Sequence, residues 1–245
     1  MTLPDIHRLY DVVAATWPAA NVAPHGPWQI RTGKGGGRRV SAATASGPIT
    51  RANLAQAEAA MHALSQTPLF MIREGEDALD ALLADAGYVV KDPSVLYAAP
   101  AAAIATERPP PVTAFTVWPP LAVQRDIWAA GGIGDGRLAV MSRAPQPKTS
   151  FLGRINDRPA ATVFVGVDGD CAMIHALEVA VAHRKQGLAR HLTRAAAFWA
   201  LEQGCTFLTL VTTEANAAAN HLYSSLGMTL VGRYHYRTLP KDDAK

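Results

Sequence analysis

The chain has 245 residues, 49% hydrophobic and 18% charged, with a net charge of +3 at pH 7. That apolar content builds a buried core and excludes a disordered chain, and the small, dispersed positive charge excludes a dedicated nucleic-acid binder. No signal-like start and no apolar run near the roughly 20 residues of a membrane span occur, so the expectation is a soluble cytoplasmic protein, with no membrane partner and two reduced cysteines, Cys171 and Cys205.

Residues 3–16 read as a helix, followed by two strands, WQIR (28–31) and RRVSAAT (38–44). Between them lies GKGGG (33–37), which no helix follows directly, so it reads as a flexible hairpin tip rather than a phosphate loop. Residues 51–64 are helical, LFMIR (69–73) is a strand, and DALDALLADAGYVV (77–90) is a helix and then a strand. The alanine-rich approach to Pro109, Pro110 and Pro111 continues neither a helix nor a sheet centre. It reads as a linker, 101–114, between an N-terminal domain, 1–100, and a C-terminal domain, 115–245.

In the second domain, residues 121–130 read as a helix stopped by Gly131 and Gly132. Residues 151–155, 161–167 and 171–179 form a meander, turning at Asn156-Asp157 and at Asp168-Gly169-Asp170. Leu188, Leu192, Ala195 and Trp199 make one apolar stripe of a helix that Gly204 ends. Residues 206–213 are a β-branched strand, 216–226 a second helix stopped by Gly227, and 228–239 the closing strands. The first half repeats this order in a worn form. LLADAGYVV (82–90) aligns with LYSSLGMTL (222–230), Gly87 over Gly227, which favours a duplication.

The chemistry concentrates in HRKQGLARHL (183–192), which follows a strand and opens a helix. A helix start offers unpaired N–H groups and a positive dipole end, so it attracts phosphate oxygens. Gly187 and Ala189 keep the backbone approachable, and Arg184 and Lys185 add charge. Neither GxxxxGK[ST] nor GxGxxG is present. By itself the stretch is either an anion seat or a solvated first turn.

Its surroundings decide. Residues 174–228 resemble the Gcn5-related N-acetyltransferase (GNAT) superfamily, whose coenzyme motif reads Arg/Gln-x-x-Gly-x-Gly/Ala. Arg184, Gly187 and Ala189 fill it, with Val179 at the apolar strand end five residues upstream. Asn216, Tyr223 and Gly227 fill the family's second block, with Met228 where phenylalanine is usual. The resemblance implies an α/β (α+β) fold of two GNAT-like units, each a mixed, mostly antiparallel sheet flanked by helices, the first unit degenerate. It implies acetyl-CoA as co-substrate, with no metal. Leu177 and Val179 would lie on a splayed strand that pairs with pantetheine. Arg184, Lys185, Gln186, Gly187, Leu188 and Ala189 would seat the pyrophosphate, with Asn216 nearby. The expected reaction is direct attack on the thioester by a primary amine of a small-molecule or peptide acceptor.

The resemblance implies that Tyr223 lies near the coenzyme sulfur as general acid, a role that suits a phenol, protonated at neutral pH with a pKa near 10. The resemblance implies a base four residues before Val179, where histone-type members of the superfamily carry a glutamate; that position here is His175, the first candidate. Glu178 is the second; at three residues' spacing on a strand the two are expected on opposite faces. In the first half Leu83 stands where the second has Tyr223, so one coenzyme per chain is expected. Arg38, Arg39 and Ser41 either face the acceptor or sit on a solvated edge strand. The cysteines read as packing residues, not nucleophiles. Two rival functions stay open, a catalytically silent acyl-CoA-binding module and a transferase of a longer acyl or aminoacyl group. A homodimer also stays open.

Overall fold

A computed structural model describes residues 2–240. In chain order the elements are α1 (Ile6–Thr16), β1 (Asn21–His25), β2 (Trp28–Thr32), β3 (Thr44–Ala45), α2 (Arg51–Ala63), β4 (Leu69–Arg73), α3 (Asp77–Asp85), β5 (Val89–Pro100) and α4 (Ala101–Ile104). Then come β6 (Ala114–Val117), α5 (Ala122–Ala130), α6 (Asp135–Arg143), β7 (Lys148–Ile155), β8 (Arg158–Asp168), β9 (Cys171–Val179), α7 (Leu188–Glu202), β10 (Phe207–Thr213), α8 (Ala217–Ser225) and β11 (Thr229–Thr238). The architecture is mixed α/β. No helix among the described residues is long and apolar enough to cross a membrane.

One sheet organises the molecule, in the order β4-β11-β5-β10-β9-β8-β7-β6. Its pairs are antiparallel except β9 with β10. The units β4-α3-β5 and β10-α8-β11 exchange their last strands. β11 lies between β4 and β5, and β5 pairs with β10. The sheet therefore runs across the division near residue 100.

Each face of the sheet carries a core. On one face α1, α2 and α3 bury Leu9, Met61 and Leu83 against Phe70, Leu96 and Met173. On the other, α7 buries Leu188, Leu192, Ala196 and Ala200 against β5, β8 and β10. Gly153 of β7 lets α7 sit close: a Cβ there would stand 3.2 Å from Leu192 Cδ1. A third core, around Trp17, Trp128, Val140 and Phe164, seats α5 and α6 beside α1. Each fully buried leucine contributes about 2 kcal/mol.

Three local expectations change. RRVSAAT is not an edge strand: Arg38–Val40 is a 3-10 turn and only Thr44–Ala45 pairs. GKGGG is a packed loop rather than a free tip, because Gly36 is buried under Val140 and Gly35 touches Gly136 of α6 backbone to backbone. The proline-rich connection begins as α4, which buries Ala101 and Ile104 and whose Ala101 N–H donates to the Thr206 carbonyl at 2.8 Å. Helix α6, which sequence periodicity did not reveal, buries only Val140 and Met141.

Candidate active site

Strands β9 and β10 pair only over Cys171–Ile174 and Phe207–Leu210, and then part. Beyond Ile174, β9 stays paired with β8, through Glu178 opposite Thr162 and Val179 opposite Ala161. Its other edge has no strand partner among the described residues. A cleft of about 940 Å³ opens there. It is lined by Leu177 and Val179 of β9, the 183–190 turn, and Asn216, His221 and Tyr223 at α8.

The turn explains its own sequence. Lys185 and Gly187 adopt left-handed φ of 61° and 83°, a conformation that favours glycine. The first bond of α7 runs from His191 N–H to the Gly187 carbonyl at 3.1 Å. The N–H groups of residues 188–190 precede it and have no intrahelical acceptor. Gly187 is thus required by its backbone angle; a Cβ there would meet only His191 at 3.7 Å. Arg184 folds back on the strand end, Nε to the Val179 carbonyl and Nη2 to Glu178 Oε1, both at 3.1 Å. Lys185, Gly187, Leu188 and Ala189 line the cleft. Gln186 does not. It donates to the Ala182 carbonyl at 3.4 Å and lines a separate space of about 330 Å³ beside Pro110 and Arg154.

Across the cleft, Asn216 caps α8 by accepting from Ala219 N–H at 3.1 Å. Tyr223 lies about two turns further along, 6% exposed, its ring 6.0 Å from that of Tyr97. Burial pushes its pKa up to about 12, so the phenol holds its proton at neutral pH. Both cysteines are buried, and burial raises the thiol pKa of each, Cys171 to about 12. Neither is a poised nucleophile.

The two candidate bases are brought together by an irregularity that alternation alone does not anticipate. The register of β8 and β9 slips between Thr162 and Phe164, and Ala176 takes a φ of 50°. His175 then opposes Phe164 and Glu178 opposes Thr162, so both side chains share a face, not opposite ones. That face is the one away from Tyr223.

His175 is a poor base. Only 3% of it is exposed, and both ring nitrogens are occupied. The Thr16 hydroxyl donates to the Val12 carbonyl at 2.6 Å, so it accepts from His175 Nε2 at 2.8 Å. Nδ1 then accepts from Arg39 Nη1 at 3.0 Å. Burial, and then the Arg39 charge, hold its pKa well below 6.5. The ring is neutral with no lone pair to spare. Both residues line the cleft, but Glu178 is different: its side chain is 19% exposed, with Arg184 as partner, and it fills the space beside Gly131 at the end of α5. Arg39 belongs on this face too, half-buried against His175 rather than on an open edge. His183, Arg190, His221 and Thr212 also line the cleft.

The comparisons with known proteins agree with this geometry. Residues 114–228 match the acetyltransferase (GNAT) family. The chain is 25% identical to the uncharacterized N-acetyltransferase YobR of Bacillus subtilis over 95% of this chain and 98% of that protein. It is 38% identical to the streptothricin acetyltransferase of Streptomyces lavendulae over 29% of this chain and 44% of that one. Among solved structures, a GCN5-related N-acetyltransferase from Kribbella flavida superposes with a TM-score of 0.74 at 20% identity, covering 97% and 96% of the two chains. A tandem GNAT protein from the clavulanic acid biosynthesis pathway superposes with a TM-score of 0.59 at 14% identity, covering 96% and 89%. The splayed strands, the glycine turn and the matching relatives lead to one assignment: residues 114–228 are an acetyltransferase domain of the GNAT family.

Proposed function

We propose that the protein transfers an acetyl group from acetyl-CoA to a primary amine by direct attack. The observation that carries this reading is the cleft where β9 and β10 part, with free N–H groups at one end and Tyr223 at the other. The residues fit the coenzyme. The unpaired edge of β9 at Leu177 and Val179 offers backbone groups to pantetheine amides. The N–H groups of 188–190, with Lys185, offer a seat for pyrophosphate oxygens. Bound there, acetyl-CoA supplies an activated acyl thioester.

The chain's own groups handle protons and position. Tyr223 is buried and protonated, so its hydroxyl donates to the departing sulfur. Glu178 is the group at the parting of the strands with a carboxylate free to take the amine's proton, directly or through water. Arg184 orients that carboxylate at 3.1 Å. His175 holds the wall behind it.

The test is a panel of amines, amino acids, aminoglycosides and peptides incubated with acetyl-CoA, with release of free thiol as readout. Amine-dependent thiol release supports the reading. Tight coenzyme A binding with no turnover on any amine replaces it with a silent acyl-CoA-binding module.

A further inference from the structure

Arg39 stands on the sheet face opposite Tyr223, over the residue at which β9 leaves β10. Its Nη1 donates to His175 Nδ1 at 3.0 Å, and its guanidinium carbon lies 6.0 Å from the Trp17 ring centre. The phenols of Tyr234 and Tyr236 on β11 flank it. Its Nε is sealed from solvent and bonded to nothing.

No carboxylate pairs with Arg39 among the described residues. Asp92 is taken by Arg38 at 2.7 Å, and Glu178 by Arg184 at 3.1 Å. Arg137 reaches over Gly37 and adds a further guanidinium; burial, and then Arg39 and Arg38, hold its pKa below the ordinary value. The notch thus gathers three guanidiniums around one carboxylate. A half-buried cation with no counter-ion is costly, and the neutral imidazole that accepts from it does not neutralise the charge. Arg39 gives Nη1 to His175 and pairs with no carboxylate among the described residues, and a guanidinium grips a carboxylate in two parallel hydrogen bonds.

The coenzyme cleft and Tyr223 occupy the far side of the parting strands. Arg39, bonded to His175 of β9, stands on the near side of the same strand. We infer that the acceptor amine carries a carboxylate and that Arg39 binds it, an inference that rests on the acetyl-transfer reading. The acceptor class is an amino acid or a molecule bearing the same pair of groups, held by its acid while its amine enters the gap beside Glu178.

The test uses matched amines with and without the acid, such as lysine with cadaverine and ornithine with putrescine, at saturating acetyl-CoA. In the wild type at least one carboxylated member should exceed its decarboxylated twin in kcat/KM by about 10- to 100-fold, the range of a charge-assisted hydrogen bond, mainly through a lower KM. Arg39→Gln should erase that ratio, and Arg39→Lys should keep part of it. The wild-type comparison stands even if Arg39→Gln fails to fold. Pairs among which no acid is preferred overturn the inference, as does an Arg39→Gln enzyme that loses both members of a pair equally. Calorimetry with coenzyme A alone, which does not involve Arg39, separates the two failures. Absent coenzyme binding overturns the acetyl-transfer reading. Normal coenzyme binding beside indifferent pairs overturns only the carboxylate.

Discussion

The Thr16 hydroxyl lies 2.8 Å from Nε2 of His175 while giving its own proton to the Val12 carbonyl at 2.6 Å. This relay fixes the imidazole as the neutral Nε2–H tautomer and joins α1 to β9. It has a pH signature. The folded pKa lies well below 6.5, so below that value the unfolded chain binds a proton that the folded chain refuses. The His175 contribution is intact above about pH 6.5 and is lost as pH falls below it, by up to about 1.4 kcal/mol per pH unit. Urea denaturation between pH 7 and 5 should show this slope, and His175→Gln should flatten it. An equal slope in both proteins would place the acid sensitivity elsewhere.

Glu178 is expected to carry the catalytic burden that His175 does not. Glu178→Gln should lower kcat by roughly 100-fold or more, within the range of general base catalysis, while the melting temperature holds. Gly131 offers an independent handle. A Cβ there would stand 2.6 Å from Glu178 Cδ, so Gly131→Ala must push the carboxylate aside. That variant should lose turnover with coenzyme affinity kept. Full activity in both variants would leave proton removal to water.

Tyr223→Phe removes the phenol and keeps the ring packed beside Tyr97. Turnover should fall by roughly 10- to 1,000-fold, with little change in coenzyme affinity. Because the phenol titrates near pH 12, the wild type should show no basic limb from this group below pH 10. Equal kcat in the two enzymes would assign Tyr223 to packing.

At Gly187 the backbone is left-handed, and that is felt before any ligand arrives. Gly187→Ala should cost about 1 kcal/mol of stability. Gly187→Glu should also abolish coenzyme A binding, by placing a negative charge at the proposed phosphate seat. Calorimetry on folded Gly187→Glu protein reads this directly, and an unchanged affinity would move the seat off this turn.

The contact of Gly35 with Gly136 ties the first half of the chain to α6. A Cβ on Gly136 would stand 2.3 Å from the Gly35 carbonyl oxygen, and backbone cannot move aside as a side chain does. Gly136→Ala should lower stability by about 1–3 kcal/mol. Unchanged thermal unfolding would mean that the GKGGG loop is free to shift.

By itself the sequence determined whatever depends on neighbours a few residues apart. The stripe Leu188, Leu192, Ala195 specifies α7, because one helical face repeats every 3.6 residues. The Arg184-to-Ala189 turn was legible because small and basic residues between a strand and a helix start mark an anion seat, while the left-handed φ of Gly187 emerged only in the structure. Tertiary structure decided what depends on partners far along the chain. The insertion of β11 between β4 and β5 pairs residues 69–73 with 234–238, and no local pattern encodes that choice. Alternation assigned His175 and Glu178 to opposite faces, since a regular strand has period two; one extra residue at Ala176, absorbed against β8, undid the rule. The same distance hid the role of Arg39. Its charge meets His175, 136 residues away, only when α1, β9 and β11 converge, so desolvation and the lack of a counter-ion are properties of the fold and not of the sequence around it.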